Sequence, residues 1–363
     1  MPPNNTYVYG ACTMRRRSLA TTVASALLGA ALLLNTETGL SGTPSLLRRK
    51  LGGDPVPPIL PLHIQANLDP VSIDHDHNHG TPFYFHILKS GGTSVKDMYA
   101  TCYRMVVANE VGGRDGFGQE NELQIVDKDG ARYVNVDTTE WEGIQRAKRL
   151  GFAKSRMAEA VFSPHVNEVA AELFTPEVPG KMFSIFRDPV ERVISLFYYL
   201  QTATWEPTYN PELQHMSLEE YANSTFIESN WMVRALCGKR TGKLTEEDVT
   251  LAMTIIREKC LVGLIDHFQE SLDRFAKYFR FRPFDDESTQ CQLLAARGGS
   301  NSNGSNKRDQ LDPESPALKI IQKKNRADII LYKYVQKLFE EQGQWFDTTG
   351  GGGEIPEKDV RQM

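Results

Sequence analysis

The sequence predicts an α/β fold, a parallel sheet flanked by helices on both faces, in a single domain. Three observations lead there. First, Phe83-Tyr84-Phe85-His86-Ile87-Leu88 is an apolar, aromatic-rich run of strand composition, and Lys89-Ser90-Gly91-Gly92 follows as a turn. Thr93 and Ser94 then open an amphipathic segment with Val95, Met98 and Tyr99 at helical spacing. Second, 181–186 repeats the strand signal and runs through Arg187 into Asp188-Pro189, where Asp188 suits an N-cap and Pro189 the first helical turn. Third, strand and helix signals alternate along the rest of the chain, which implies parallel strands joined by crossover helices.

The elements follow in order. Arg15, Arg16 and Arg17 precede an apolar run from Leu19 to Leu34, and 18–34 carries no charge. That length is at the short end for a spanning helix. The arginines place the preceding residues in the cytosol. The expected organisation is a cytosolic tail over 1–14, a signal anchor over 15–35, a stem over 36–80, the folded domain over 81–348 and a disordered tail over 349–363. A cleaved signal peptide is the alternative for the apolar run. The stem is rich in Pro, Gly and polar residues and has no period. At its end His75, His77 and His79 alternate with Asp74, Asp76 and Asn78. Such side chains suit zinc or copper, but a solvated stem end accounts for them, and no metal is expected.

Within the domain, Ala131–Val136 has strand composition and Trp141–Arg156 a helical pattern carrying Arg146, Lys148, Arg149, Lys154 and Arg156. That charge run is read as a solvated face, with a path for an anionic glycan as the alternative. A strand over Ala160–Ser163 leads through Pro164 and His165 to a helix from Glu168 to Phe174. After Pro189 a helix to Gln201 buries Val193, Ile194, Phe197 and Tyr198 on one side. Leu251–Phe279 reads as helix, short strand over Cys260–Ile265, helix. The polar stretch 283–315 is a loop, and Asn325–Gln342 a last amphipathic helix.

Composition narrows the function. The 363 residues are 40% hydrophobic and 24% charged, with a net charge of −5, which argues against a general nucleic-acid binder. Cys12 falls in the cytosolic tail. Cys102, Cys237, Cys260 and Cys291 fall beyond the anchor, an even number compatible with two disulfides. Asn223-Ser224-Thr225 and Asn303-Gly304-Ser305 are glycosylation sequons.

The first turn has the chemistry of a phosphate site. Glycines let the backbone approach an anion, and the first N–H groups of a helix lack partners inside it. Lys89 adds a full charge, and Ser90, Thr93 and Ser94 add hydroxyls. The Walker pattern puts its lysine after the last glycine; here the lysine comes first, so this is not a Walker loop.

Together the two motifs resemble the cofactor signatures of Golgi membrane-bound carbohydrate sulfotransferases of the heparan, dermatan and chondroitin type. His86–Ser94 is similar to their 5′-phosphosulfate loop. Phe186-Arg187-Asp188-Pro189-Val190-Glu191-Arg192, with Ser195 beyond, is similar to their 3′-phosphate motif. The resemblance covers roughly 82–345, densely at the motifs and loosely elsewhere. It implies a P-loop-like catalytic domain in the Golgi lumen of a single-pass type II membrane protein. It implies 3′-phosphoadenosine-5′-phosphosulfate (PAPS) as sulfuryl donor and a glycan hydroxyl, on an anionic or a neutral glycan, as acceptor. Lys89, Ser90, Gly91, Gly92, Thr93 and Ser94 would hold the 5′ side, and Arg187 and Ser195 the 3′-phosphate. Ser305 and Lys307, in the polar loop, would fold over the nucleotide. Lys89 would also serve catalysis, with His165 as the base and His86 its competitor. Two other readings share the motifs: a P-loop nucleotide kinase-like enzyme, and a non-catalytic lumenal glycan-binding protein with a degenerate site.

The N-terminal reading is testable. A carboxy-terminally tagged chain should be protected from protease in intact microsomes and stay with the membrane after carbonate washing. Release by carbonate would point to cleavage.

Overall fold

A computed structural model describes residues 58–73, 79–204, 206, 209–282, 291 and 314–346. The tail, anchor and most of the stem, His75 and His77, the sequon at Asn303, and Ser305 and Lys307 lie outside them. The described residues all belong to one unit, Val56–Met363.

The unit is built on a seven-stranded sheet. In chain order the strands are β1 Thr81–Phe85, β2 Val106–Ala108, β3 Ile125–Lys128, β4 Ala131–Val134, β5 Ala160–Ser163, β6 Gly180–Phe186 and β7 Cys260–Leu264. In space they run β3-β4-β2-β5-β1-β6-β7. Every neighbouring pair is parallel except β3 and β4, an antiparallel hairpin at the edge. The fold is therefore the expected α/β class. Its hairpin turns at Asp129 and Gly130, both at positive φ (53° and 79°), as a tight two-residue hairpin turn requires. Neither β2 nor β3 is legible as a strand in the sequence. Three residues for β2 are too few to show a period, and β3 alternates exposed with buried residues at an edge.

Parallel pairing demands cover on both faces. Successive side chains of β1 go to opposite sides, so Phe83 and Phe85 enter one core while Tyr84 enters the other. The first core is closed by α1 (Leu62–Asn67), α3 (Trp141–Arg149), α5 (Val166–Glu172), α8 (Trp231–Cys237), α9 (Glu246–Lys259) and α12 (Arg326–Gly343). The second is closed by α2 (Gly92–Asp97), the π turn Met98–Cys102 that continues it, and α10 (Phe268–Phe279). A third cluster joins α6 (Pro189–Leu200), α7 (Leu218–Asn223) and α11 (Pro316–Lys324).

Four expectations change. The folded unit begins before residue 81: Leu60, Ile64 and Leu68, read as stem, are buried in the first core, and Leu68 bridges Gly180. Those few apolar residues in a Pro-rich stretch are too short a signal for a period. The helix expected over Trp141–Arg156 breaks at Gly151 (φ 77°), and a separate turn of helix, α4, covers Phe152–Ser155. In that charge run Arg146 is half-buried and donates to the carbonyls of Asn135 and Glu120, so it serves the fold, whereas Lys148, Arg149, Lys154 and Arg156 are exposed, as a solvated face requires. Among the described residues there is one disulfide, Cys102–Cys291, and Cys237 and Cys260 are free. Cys260 sits at the start of β7 in the core, where its thiol donates to the Leu261 carbonyl (3.5 Å).

Phe183 is the centre of the second core. It is fully buried, with ring centroids of Tyr84, Phe275 and Phe279 at 5.2, 5.0 and 4.9 Å. Phe183→Ala should cost about 3–5 kcal/mol in denaturant unfolding. A loss under about 1 kcal/mol would mean the site collapses around the void.

Candidate functional site

The strand order decides which loops meet. β1 lies between β5 and β6, so the segments that leave these three strands share one edge. They carry Lys89, His165 and Arg187. In open α/β sheets this carboxyl edge is where ligands bind.

Hydrogen bonds lock the three segments together. The His86 N–H donates to the Ser163 carbonyl (2.9 Å), joining the ends of β1 and β5. Ser184 Oγ donates to the Phe85 carbonyl (2.7 Å), joining β6 to β1. Arg187 Nη1 donates to the Lys89 carbonyl (3.1 Å). Lys89 has φ 63°, a conformation unfavourable for a residue with a Cβ, so this bond holds a strained peptide in place.

The glycines are required sterically. Gly91 has φ 82° and caps α2. A Cβ on Gly92 would lie 2.2 Å from His86 Cδ2 and 2.4 Å from its Nε2, because this edge of the imidazole packs against the loop. Helix geometry leaves the first N–H groups of α2 without carbonyls inside the helix. Thr93 is exposed there and Ser94 partly so. Ser90 is buried, and its Oγ has no hydrogen-bond partner among the described residues.

Lys89 reaches across to α6. Its Nζ lies 3.7 Å from the centroid of the Tyr199 ring, a cation–π contact, and the Tyr199 hydroxyl donates to Glu206. Burial, then the Arg187 charge, push the Lys89 ammonium down to about 8 against the opposing pull of Glu206. Arg187 also donates to Glu191 one helical turn on (3.2 Å), while Asp188 caps α6 by accepting from Val190 and Glu191 N–H at 2.9 and 3.0 Å. Ser195 lies two turns into α6 and is buried, 3% exposed.

His165 is the N-cap of α5, and its ring orientation is fixed. The Thr138 hydroxyl donates to the Phe162 carbonyl (2.7 Å), which lays the 138–139 segment beside the end of β5. The Thr139 carbonyl then meets His165 Nε2 at 2.8 Å. A carbonyl only accepts, so Nε2 carries the proton, and the Nδ1 lone pair of the neutral ring is left to take another. His86 is different. Burial, then the Lys96 charge, push its imidazole down to about 4, against Glu110. Glu110 is partly buried, which alone would raise its carboxyl, but the ion pair with Lys96 outweighs that and lowers it. His86 thus works as neutral packing under the loop.

Three features were missed in the sequence. Tyr199, Glu206 and Thr139 have no motif, since each matters only through a partner far along the chain. The doublet Tyr198-Tyr199 on a helix with one buried side was the one available hint.

Among solved structures the chain is similar to mouse sulfotransferase SULT7A1 complexed with PAP, with a TM-score of 0.33 and 11% identity over 74% of this chain and 84% of that chain. A likeness this loose carries no argument about the site. No family model and no curated protein matches the chain.

The depressed Lys89 gives a pH prediction. The folded value of about 8 lies below the ordinary 10.5, so Lys89 costs stability at low pH, and the cost is relieved as pH rises from 8 toward 10.5. A bound phosphate needs the charged form. Affinity for adenosine 3′,5′-bisphosphate should therefore be level below pH 8 and fall above it, by up to about tenfold per pH unit. Lys89→Met should bind weakly with no such fall. Calorimetry across pH 6.5–9.5 checks both.

Proposed function

We propose that the chain is a PAPS-dependent sulfotransferase that moves the sulfuryl group to a glycan hydroxyl, working in the Golgi lumen from an N-terminal anchor. The observation that carries this reading is the meeting of Lys89, His165 and Arg187 at the ends of three adjacent parallel strands.

The residues fit such a donor. Gly91 and Gly92 keep the backbone open to an anion, and the buried Ser90 hydroxyl lacks a partner among the described residues. The donor supplies an activated sulfuryl group on the 5′-phosphate. Lys89 and the first N–H groups of α2 bind and neutralise that phosphate, which carries away the electron pair when its bond to sulfur breaks. Lys89 is pre-positioned by Tyr199 and kept partly dry, which strengthens its electrostatic effect. Arg187 exchanges Glu191 for the 3′-phosphate, with Ser195 further along α6. His165 Nδ1 takes the acceptor's hydroxyl proton as the new oxygen–sulfur bond forms, and the Nε2–H bond to Thr139 keeps the ring aimed. Ser305 and Lys307 join the nucleotide contacts in this reading.

The test has two arms. The wild-type chain should bind 3′-phosphoadenosine 5′-phosphate (PAP) well and AMP poorly, and Arg187→Ala should remove most of that preference. Equal affinity for both nucleotides in calorimetry would sink the reading. With radiolabelled PAPS and a panel of desulfated glycans, His165→Ala should lower turnover by about 10²-fold or more and leave PAP affinity nearly unchanged. Near-normal turnover would move the base elsewhere, with Glu168 and His86 next.

A further inference from the structure

The third cluster includes a helix with two distinct sides. α7 starts on a capping box between Ser217 and Glu220, and it buries Leu218, Tyr221 and Ala222 in the cluster. Glu219 and Asn223 are four residues apart, on one stripe of the helix, and both are exposed. Asn223 is the last residue of α7 and the first of the sequon Asn223-Ser224-Thr225.

The chain leaves the helix in a way that presents this triplet. Ser224 has extended backbone (φ −75°, ψ 175°). Its Oγ donates to the Tyr221 carbonyl (2.8 Å) and accepts from the Phe226 N–H (3.1 Å), and its carbonyl accepts from Lys324 Nζ at the end of α11 (3.1 Å). The middle residue is thus held half-buried, while Asn223 and Thr225 on either side of it are exposed. Asn223 Nδ2 donates to the Glu219 carbonyl (3.0 Å), one turn back on the same stripe. Phe226, the residue after the sequon, is 40% exposed, an apolar ring next in the chain on which an attached sugar can rest. The other two sequons, Asn4-Asn5-Thr6 and Asn303-Gly304-Ser305, lie outside the described residues.

We propose that Asn223 carries an N-linked glycan on the solvent stripe of α7. The inference rests on the lumenal placement of the domain in the reading above and is independent of the reaction catalysed. The donor is an oligosaccharide on a polyprenyl diphosphate. Asn223 Nδ2 forms a bond to C1 of its first sugar, the bond from C1 to the phosphate oxygen breaks, and that electron pair leaves with the diphosphate. Nδ2 gives up one of its two protons, and nothing is oxidised or reduced. The amide keeps one N–H, so the product still has a donor for the Glu219 carbonyl. A glycan is bulky and joins the chain before folding is complete, so the folded state must leave it room. Had the sequon begun one residue earlier, at Ala222, its glycan would fall in the core. At Asn223 the same helix turns it to water.

The test expresses the full chain in a eukaryotic cell, with and without an added sequon in a carboxy-terminal tag. Peptide N-glycosidase should increase the mobility of wild type, and in heavy-oxygen water it should leave a labelled aspartate at position 223 in peptide mass spectra. Asn223→Gln and Thr225→Ala should each lose one step of the mobility shift. Thr225→Ser should keep it, because serine completes the sequon as well. Asn303→Gln should leave the label at 223 in place. Each variant should bind PAP as wild type does, since the stripe carries none of the nucleotide contacts. An unlabelled Asn223, or a full shift in both Asn223→Gln and Thr225→Ala, overturns the inference. The tag sequon separates the levels. A modified tag with a bare Asn223 overturns the site alone and leaves the lumenal reading standing. A bare tag, or a glycan at Asn4, puts the domain on the other side of the membrane and overturns both.

Discussion

The hydrogen bond from Arg187 to the Lys89 carbonyl is the contact on which the site depends. It spans two loops that are distant in sequence and adjacent in space. Lys89 holds a left-handed backbone that costs on the order of 1–3 kcal/mol unless its surroundings enforce it. Arg187 enforces it from one side, and the closing of α2 over His86 from the other. If either gave way, the lysine would lose its aim across Tyr199. The same guanidinium is a donor to Glu191, so one side chain fixes the loop geometry and presents positive charge at the start of α6.

This arrangement exists because the sheet is parallel and β1 is central. Parallel strands deliver all their carboxyl ends to one edge, and crossover helices bury both faces. The core then fixes the strand ends against one another. Phe183 with its ring of aromatics locks β6 to β1 and to α10, and Phe83 and Phe85 do the same on the opposite face. The fixed ends position three loops whose own contacts are few. The two histidines illustrate how surroundings divide labour. His86 packs under the loop with its imidazole pushed down to about 4, whereas His165 has one ring nitrogen pinned by the Thr139 carbonyl and the other available.

The sequence alone determined the class of fold and the two strand–turn–helix motifs at Lys89 and Arg187. Strand composition before Lys89 and before Arg187, glycines at 91 and 92, and Asp188-Pro189 at a helix start are local signals. Each reflects a constraint acting over a few residues: a positive φ, a ring packed where a Cβ would be, an N-cap. His165 was legible as a residue following a strand, and its position came from the same pattern.

Only the tertiary structure decided what those motifs touch. Which nitrogen of His165 carries the proton depends on the Thr139 carbonyl, brought in by Thr138 on the end of β5. The ring under Lys89 and the turn of Arg240 against Glu168 join residues from separate elements. The early start of the folded unit, the short β2 and the pairing of Cys102 with Cys291 are likewise long-range outcomes. The physical reason is common to all of them. Backbone conformation and capping are set by neighbours in the chain and leave a pattern there, whereas a side-chain contact between distant segments is set by strand order and packing, which leave none.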